Sequence, residues 1–283
     1  MTTTIRPALR YHGAKYRLAP WIMSFFPAHG CYVEAFGGAA GVLLQKERGY
    51  AEVYNDLDGA VVNFFEVLRD AESRARLIES VVLTPYARAE FELAWMATDD
   101  PIEQARRLCI RAQMGFGSAG ATKGATGFRI DTKREYGTAQ HLWAQYPAAL
   151  AAAGERFSGV LIENRPAIEV MRQHDIVDTL HFVDPPYVHS TRTHKGSKGY
   201  RHEMTDEDHL ALIEAIKDLQ GYVVLSGYAS ELYMENLADW ACHSTTARIS
   251  ACRGTTLRTE VVWINPACAA ALEREAPQLQ MFA

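Results

Sequence analysis

The chain has 283 residues, enough for about two domains, or for one α/β domain carrying an insertion. Apolar residues make up 48% and charged residues 22%, with 20 Gly and 11 Pro, which excludes collagen-like, low-complexity and wholly disordered classes. The net charge of −5 speaks against a protein that coats nucleic acid through its overall charge, so any such contact must come from a local basic surface.

In chain order, Tyr32–Phe36 is a short β-prone run that opens into Gly37-Gly38-Ala39-Ala40-Gly41, with a helix-like stretch, Val42–Lys46, behind it. A second short strand, Glu52–Tyr54, ends at Asn55-Asp56. Val61, Phe64, Phe65 and Leu68 then recur at the spacing of one helix face. From about 72 to 154 the strand signal gives way to amphipathic helices at 72–83, 86–98, 101–114 and 138–153, around a glycine-rich loop at 115–127. Strand and helix alternate again afterwards. Strands are expected at 159–163, 179–184, 222–226 and 260–264, with a helix capped by Thr205 that stops at Gly221. The pattern predicts an α/β sheet at 1–71 and 155–283, interrupted by a helical insertion at 72–154.

No run approaches the roughly 18 apolar residues of a membrane span, and the start, MTTTIRPALRYHG, lacks the apolar run of a secretory signal. A cytoplasmic protein without membrane contact is expected. Cys31, Cys109, Cys242, Cys252 and Cys268 contain no C-x-x-C pair, and the histidines show no ligand spacing. Neither a disulfide framework nor a metal site is therefore indicated.

The sharpest chemical signal is Asp184-Pro185-Pro186-Tyr187, which follows the apolar strand Leu180–Val183. Two prolines end the strand and stiffen the turn, because neither has an N–H to give the sheet. The turn offers a carboxylate, the Pro185 carbonyl and an aromatic ring side by side. Two acceptors beside a stacking face suit a planar ring that bears an exocyclic amino group. Asp-Pro is also ordinary turn chemistry, so the tetrapeptide alone does not decide the matter. Asp56 lies about 20 residues past the glycine turn, where a carboxylate takes ribose hydroxyls in nucleotide-binding folds, although Asn55-Asp56 could equally cap a helix. Arg10–Lys15 adds a ring, a glycine bend and an ammonium group that suit a carboxylate-bearing cofactor.

Tyr11-His12-Gly13-Ala14-Lys15, Val33-Glu34-Ala35-Phe36-Gly37-Gly38, Tyr54-Asn55-Asp56 and Asp184-Pro185-Pro186-Tyr187, in this order, resemble the Dam-type DNA adenine-N6 methyltransferases. Leu225–Tyr228 and Thr259–Trp263 resemble late strands of that family. The resemblance implies a Rossmann-like sheet that binds S-adenosylmethionine, a helical DNA-recognition module, and methyl transfer to N6 of an adenine flipped out of double-stranded DNA. It assigns Tyr11 and Lys15 to the methionine end of the cofactor, Glu34, Phe36, Gly37 and Gly38 to its pocket, and Asp56 to its ribose. Asp184, Pro185, Pro186 and Tyr187 become the catalytic turn, with Asp184 facing both cofactor and target amine. Alanine stands at 14, 35, 39 and 40, where the family more often has glycine or proline.

DNA contacts are expected from Lys123, Arg129, Lys133 and Arg134 around the glycine-rich loop, and from Arg192, Lys195 and Lys198 after the catalytic turn. Arg106, Arg107 and Arg111 read equally well as DNA contacts or as a solvated helix face. Action on RNA or on cytosine N4, a non-catalytic DNA-binding module and a nicotinamide oxidoreductase are the competing readings. Asp184 argues against cytosine, and the retained site residues argue against a non-catalytic module. A restriction-modification context, the recognition sequence, and monomer or weak dimer are left open.

Overall fold

The structure, a computed structural model, describes residues 5–117, 120–121, 126–130, 138–191, 201–251 and 254–281, with side chains left aside at 248–251, 254–256 and 276–281. A short helix α1 (Ala19–Met23) precedes strands β1 (Cys31–Glu34) and β2 (Ala51–Asn55). Five helices follow before the next strand: α2 (Gly59–Arg69), α3 (Ala71–Leu83), α4 (Arg88–Leu93), α5 (Pro101–Met114) and α6 (Ala139–Phe157). The sheet then resumes with β3 (Leu161–Glu163), helix α7 (Ala167–Gln173), β4 (Thr179–Val183), α8 (Asp206–Lys217), β5 (Tyr222–Gly227) and α9 (Glu231–Asn236). It closes with β6 (Ala241–Ala251), β7 (Gly254–Ile264) and helix α10 (Pro266–Met281).

The seven strands run in the order β3-β2-β1-β4-β5-β7-β6, parallel except that β7 is antiparallel to both β5 and β6. This is the Rossmann-like sheet that the family resemblance implies. Chain direction across the sheet reverses between β1 and β4, and the crevice at the carboxyl ends of such a pair is where open α/β sheets bind ligands.

The strands hold this position because they are buried on both faces. Tyr32, Leu180, Phe182 and Val224 enter one apolar cluster, while Val33, Val183, Val223 and Leu225 enter the other, which is the period-two alternation of a covered strand. The second cluster is completed by α7, α8 and α9. The first runs from the sheet through α2 into Leu77, Phe91, Leu108 and Leu150, so the helical segment shares a core with the sheet. Phe65 of α2 stacks on Phe157 of α6 at 4.2 Å. Beneath them Glu52 of β2 accepts two bonds from Arg156, at 2.6 and 2.8 Å, and one from Lys46 at 3.3 Å.

Two expectations need correction. Val42–Lys46 forms successive turns rather than a helix, because Ala40 sits at φ 54 and the Leu43 amide donates to the Glu34 carboxylate instead of to a helical carbonyl. The cap of α2 is Asp58, whose side chain accepts from the Ala60 amide, and not Asn55 or Asp56. Of the described cysteines Cys109 and Cys268 are buried, Cys31 is half-buried and Cys242 is exposed. No helix among the described residues is long and apolar enough to cross a membrane.

Candidate active site

The cleft beyond β1 and β4 is lined by the loop Tyr11–Lys15, the turn Glu34–Gly41, the segment Asn55–Asp58, Asp184 with Pro186, and Arg201–Met204. Its floor is the glycine turn. Gly37 donates to the Asn55 carbonyl at 2.7 Å, and Tyr54 donates its hydroxyl to the Gly38 carbonyl at 2.7 Å, which ties the turn to β2. Gly38, at φ 48, lies so close to Tyr11 that a Cβ there would stand 2.9 Å from the ring. Glycine is required at this point by both conformation and space. Phe36 lies half-buried in the wall.

Asp56 is held by two backbone amides, Gly38 to Oδ2 and Asp58 to Oδ1, each at 2.8 Å. Burial raises its pKa against the pull of these two donors. Asn55 pins the neighbouring backbone by donating to the Ala35 and Arg165 carbonyls and accepting from the Arg165 amide. Asp58 is 2% exposed; its Oδ1 accepts from Arg201 at 2.9 Å, and Oδ2 has no partner among the described residues.

Glu34 is buried, and burial raises its pKa to about 8, opposed by donors from the Tyr32 hydroxyl at 2.7 Å and the Leu43 amide at 2.8 Å. Both donors meet Oε2, which leaves Oε1 to carry a proton. A carboxyl with a raised folded-state pKa stabilises the fold fully below its unfolded value near 4.5, and that contribution is lost as pH rises toward about 8. Unfolding free energies of the ligand-free wild type and Glu34→Gln, compared between pH 5 and 8, should therefore diverge. The wild type should lose up to about 1.4 kcal/mol per pH unit relative to the variant. Parallel curves would contradict this assignment.

Asp184 follows β4 directly. Lys15 bridges both of its oxygens, at 2.8 and 2.9 Å, and Ser226 of β5 donates to Oδ1 at 2.7 Å. Lys15 also donates to the Gly13 carbonyl and stands 4.6 Å from the centroid of the Tyr187 ring. Pro185 is buried, and Tyr187 crosses the Tyr228 ring and donates its hydroxyl to Glu260.

Residues 11–93 match the model of the D12 class N6 adenine-specific DNA methyltransferase family. Over this segment the chain is similar to that family. The matched segment holds Tyr11, Lys15, the glycine turn and Asp56; the turn at Asp184 lies beyond it. No curated protein matches the chain. Among solved structures 27 chains match. One, the X-ray structure of a precorrin 8w decarboxylase from Methanobacterium thermoautotrophicum, is 14% identical over 88% of each chain, with a TM-score of 0.33.

The structure thus gathers Tyr11, Lys15, Glu34, Phe36, Gly37, Gly38, Asp56, Asp184 and Pro186 at one crevice, with Tyr187 beside Lys15. The basic residues fare differently. Arg129 is only 5% exposed, with its carbonyl accepting from Tyr86, so it does not offer its charge to solvent as expected. Arg106 pairs with Glu103 and Glu90, Arg107 pairs with Glu103, and Arg111 donates to the Ala94 carbonyl beside Trp95. These three hold the helices together and form neither a solvated face nor a free DNA-binding one. Lys123, Lys133, Arg134, Arg192, Lys195 and Lys198 lie outside the described residues. Among the described residues no group of His, Cys, Asp and Glu could hold a metal ion. Sequence reasoning missed Asp58, two residues past Asp56, and Ser226 and Glu260, which reach the site only through strand pairing.

Proposed function

We propose that the protein is a DNA methyltransferase that takes its methyl group from S-adenosylmethionine and delivers it to N6 of an adenine flipped out of double-stranded DNA. The observation that carries this reading is Asp184, fixed by Lys15 and Ser226 at the switch point of the sheet, in the wall of the glycine-turn cleft, with Lys15 also over the Tyr187 ring.

The cleft suits this donor. Gly38 makes a close cradle against Tyr11, Asp56 presents a carboxylate to hydroxyl donors, and the buried Asp58 Oδ2 awaits one. Asp56 would hold the ribose, Glu34, Phe36, Gly37 and Gly38 would line the pocket, and Tyr11 and Lys15 would meet the methionine end. When bound, the group supplies an electrophilic methyl on a sulfonium.

Adenine N6 is a poor nucleophile because its lone pair is delocalised into the ring. Asp184 and the Pro185 carbonyl accept its two N–H bonds and so favour a tetrahedral nitrogen with a localised lone pair, a preorganised electrostatic effect. Lys15 holds the Asp184 side chain at this position, and Asp184 is the acceptor placed to take the proton that N6 sheds. Tyr187 stacks on the extruded base, worth roughly 1–3 kcal/mol toward an unstacking cost of a few kcal/mol. The helical segment 72–154 would contact DNA around the loop closed by the Gly115–Phe128 bridge; in sequence Lys123 falls between the two bridge residues and Lys133 and Arg134 follow, and Arg192, Lys195 and Lys198 would add the second basic stretch.

The test incubates the protein with methyl-labelled S-adenosylmethionine and unmethylated duplex DNA, then digests the DNA to nucleosides for mass spectrometry. Labelled N6-methyladenine is expected. Label in RNA offered alongside, and none in DNA, would overturn the DNA reading, and failure to bind the donor in calorimetry would overturn the cofactor assignment.

A further inference from the structure

The Asp184-Pro185-Pro186 turn fixes the backbone that carries Tyr187, but it leaves the two side-chain torsions of the ring free. Three contacts set them. Lys15 Nζ stands 4.6 Å from the ring centroid, and the Tyr228 ring crosses it at 4.4 Å and 68°. The Tyr187 hydroxyl, at the far end of the ring, donates to Glu260 Oε2 at 2.9 Å. A bond at that end fixes the first torsion and with it the axis of the ring, while the Tyr228 ring and Lys15 set the rotation about that axis.

Glu260 lies on β7 two residues before Val262, the partner of Ser226 on β5. The antiparallel β5–β7 pair therefore braces the turn twice, with Ser226 on Asp184 and Glu260 on Tyr187. Glu260 is 6% exposed. A carboxyl buried beside Asp184 is costly to keep. Burial raises its pKa, opposed by Lys15 and by the Tyr187 hydroxyl, and either protonation state retains an oxygen able to accept that O–H.

We propose that Glu260 is a positioning residue for the target base, anchoring the far end of the Tyr187 ring through its phenol and so setting where the ring stands when the adenine amine meets Asp184 and the Pro185 carbonyl. The inference rests on the reading of Tyr187 as the stacking partner. Displacement of a reacting group by even 1 Å is expensive in rate, which is what such a brace prevents.

The experiment compares wild type with Glu260→Ala, Glu260→Gln, Tyr187→Phe and the Glu260→Ala/Tyr187→Phe pair. It measures kcat and KM on unmethylated plasmid DNA, the S-adenosylmethionine Kd by calorimetry, and thermal melting. Glu260→Ala and Tyr187→Phe should each lower kcat about tenfold, the scale of one lost hydrogen bond, and the pair should be no worse than either. Glu260→Gln should recover most of the loss, since its amide carbonyl accepts the same O–H. Donor affinity and melting should be alike throughout. Multiplying losses in the pair, or a Gln variant as weak as Ala, would overturn the proposal, as would melting that falls in step with kcat. Should Glu260→Ala not fold, an undiminished kcat in Tyr187→Phe overturns it alone. Tyr187→Ala with wild-type kcat would instead sink the stacking reading.

Discussion

Replacing Asp184 by Asn should lower kcat by about 10³-fold, on the scale of losing a preorganised group at the reacting atom. The amide keeps the shape of the side chain and one carbonyl oxygen. It replaces the other acceptor by an NH₂ group, which faces either the Lys15 ammonium or the substrate amine, both donors. Lys15, 6% exposed, would then lack its ion pair, while Ser226 would bond to an amide. Asp184→Ala should lose as much or more, with two buried donors left without an acceptor. Single-turnover transfer of labelled methyl to DNA reads the effect, and calorimetry with S-adenosylmethionine confirms that a folded, donor-binding protein is being assayed. Near-native turnover in Asp184→Asn would remove Asp184 from the reaction.

Gly37→Ala should destabilise the fold by about 3 kcal/mol, at the upper end of overpacking effects. A Cβ at this position would stand 2.1 Å from the Tyr54 ring. Tyr54 cannot retreat: it is fully buried, its hydroxyl is bonded to the Gly38 carbonyl, and it packs on Phe65 at 4.8 Å and Phe157 at 5.4 Å. The turn must shift instead, which carries Gly38 away from Asp56. Donor affinity should fall along with stability. Urea unfolding of Gly37→Ala, Tyr54→Leu and the double variant checks the cause. The smaller side chain makes room, so the combined loss should be well below the sum of the two. Additive losses would place the cost elsewhere.

Much of this site is legible in the sequence because its parts are local. A β-prone run before glycines, an acid at the end of the next strand, and an acid followed by two prolines each carry their geometry within a few residues. The strands of the sheet interior are legible for a related reason, as burial on both faces makes them continuously apolar. Strand β6 escapes notice because it is an edge strand paired only with β7, and Cys242, His243 and Ser244 are exposed. Without a buried face there is no alternation to detect. Ser226 and Glu260 are illegible as site residues since their roles depend on the registry of β5 with β7, which no local pattern encodes. The arginines of α5 mislead in the opposite way. A cluster of positive charge reads as a surface, and only the placement of Glu90 and Glu103 shows that it is spent inside the molecule.

The apolar cluster that passes without a break from the sheet into helices α3 to α6 sets a constraint on how the protein can change over generations. A module with its own core can be exchanged for another while the catalytic sheet stays intact. Here the helical segment supplies part of the packing on which the sheet itself depends, so replacing it wholesale would uncover one face of the catalytic layer. The changes such a segment tolerates are therefore substitutions on exposed loops, with the helices beneath held nearly constant, and a damaging change in the helices would be inherited by the pocket as lost stability.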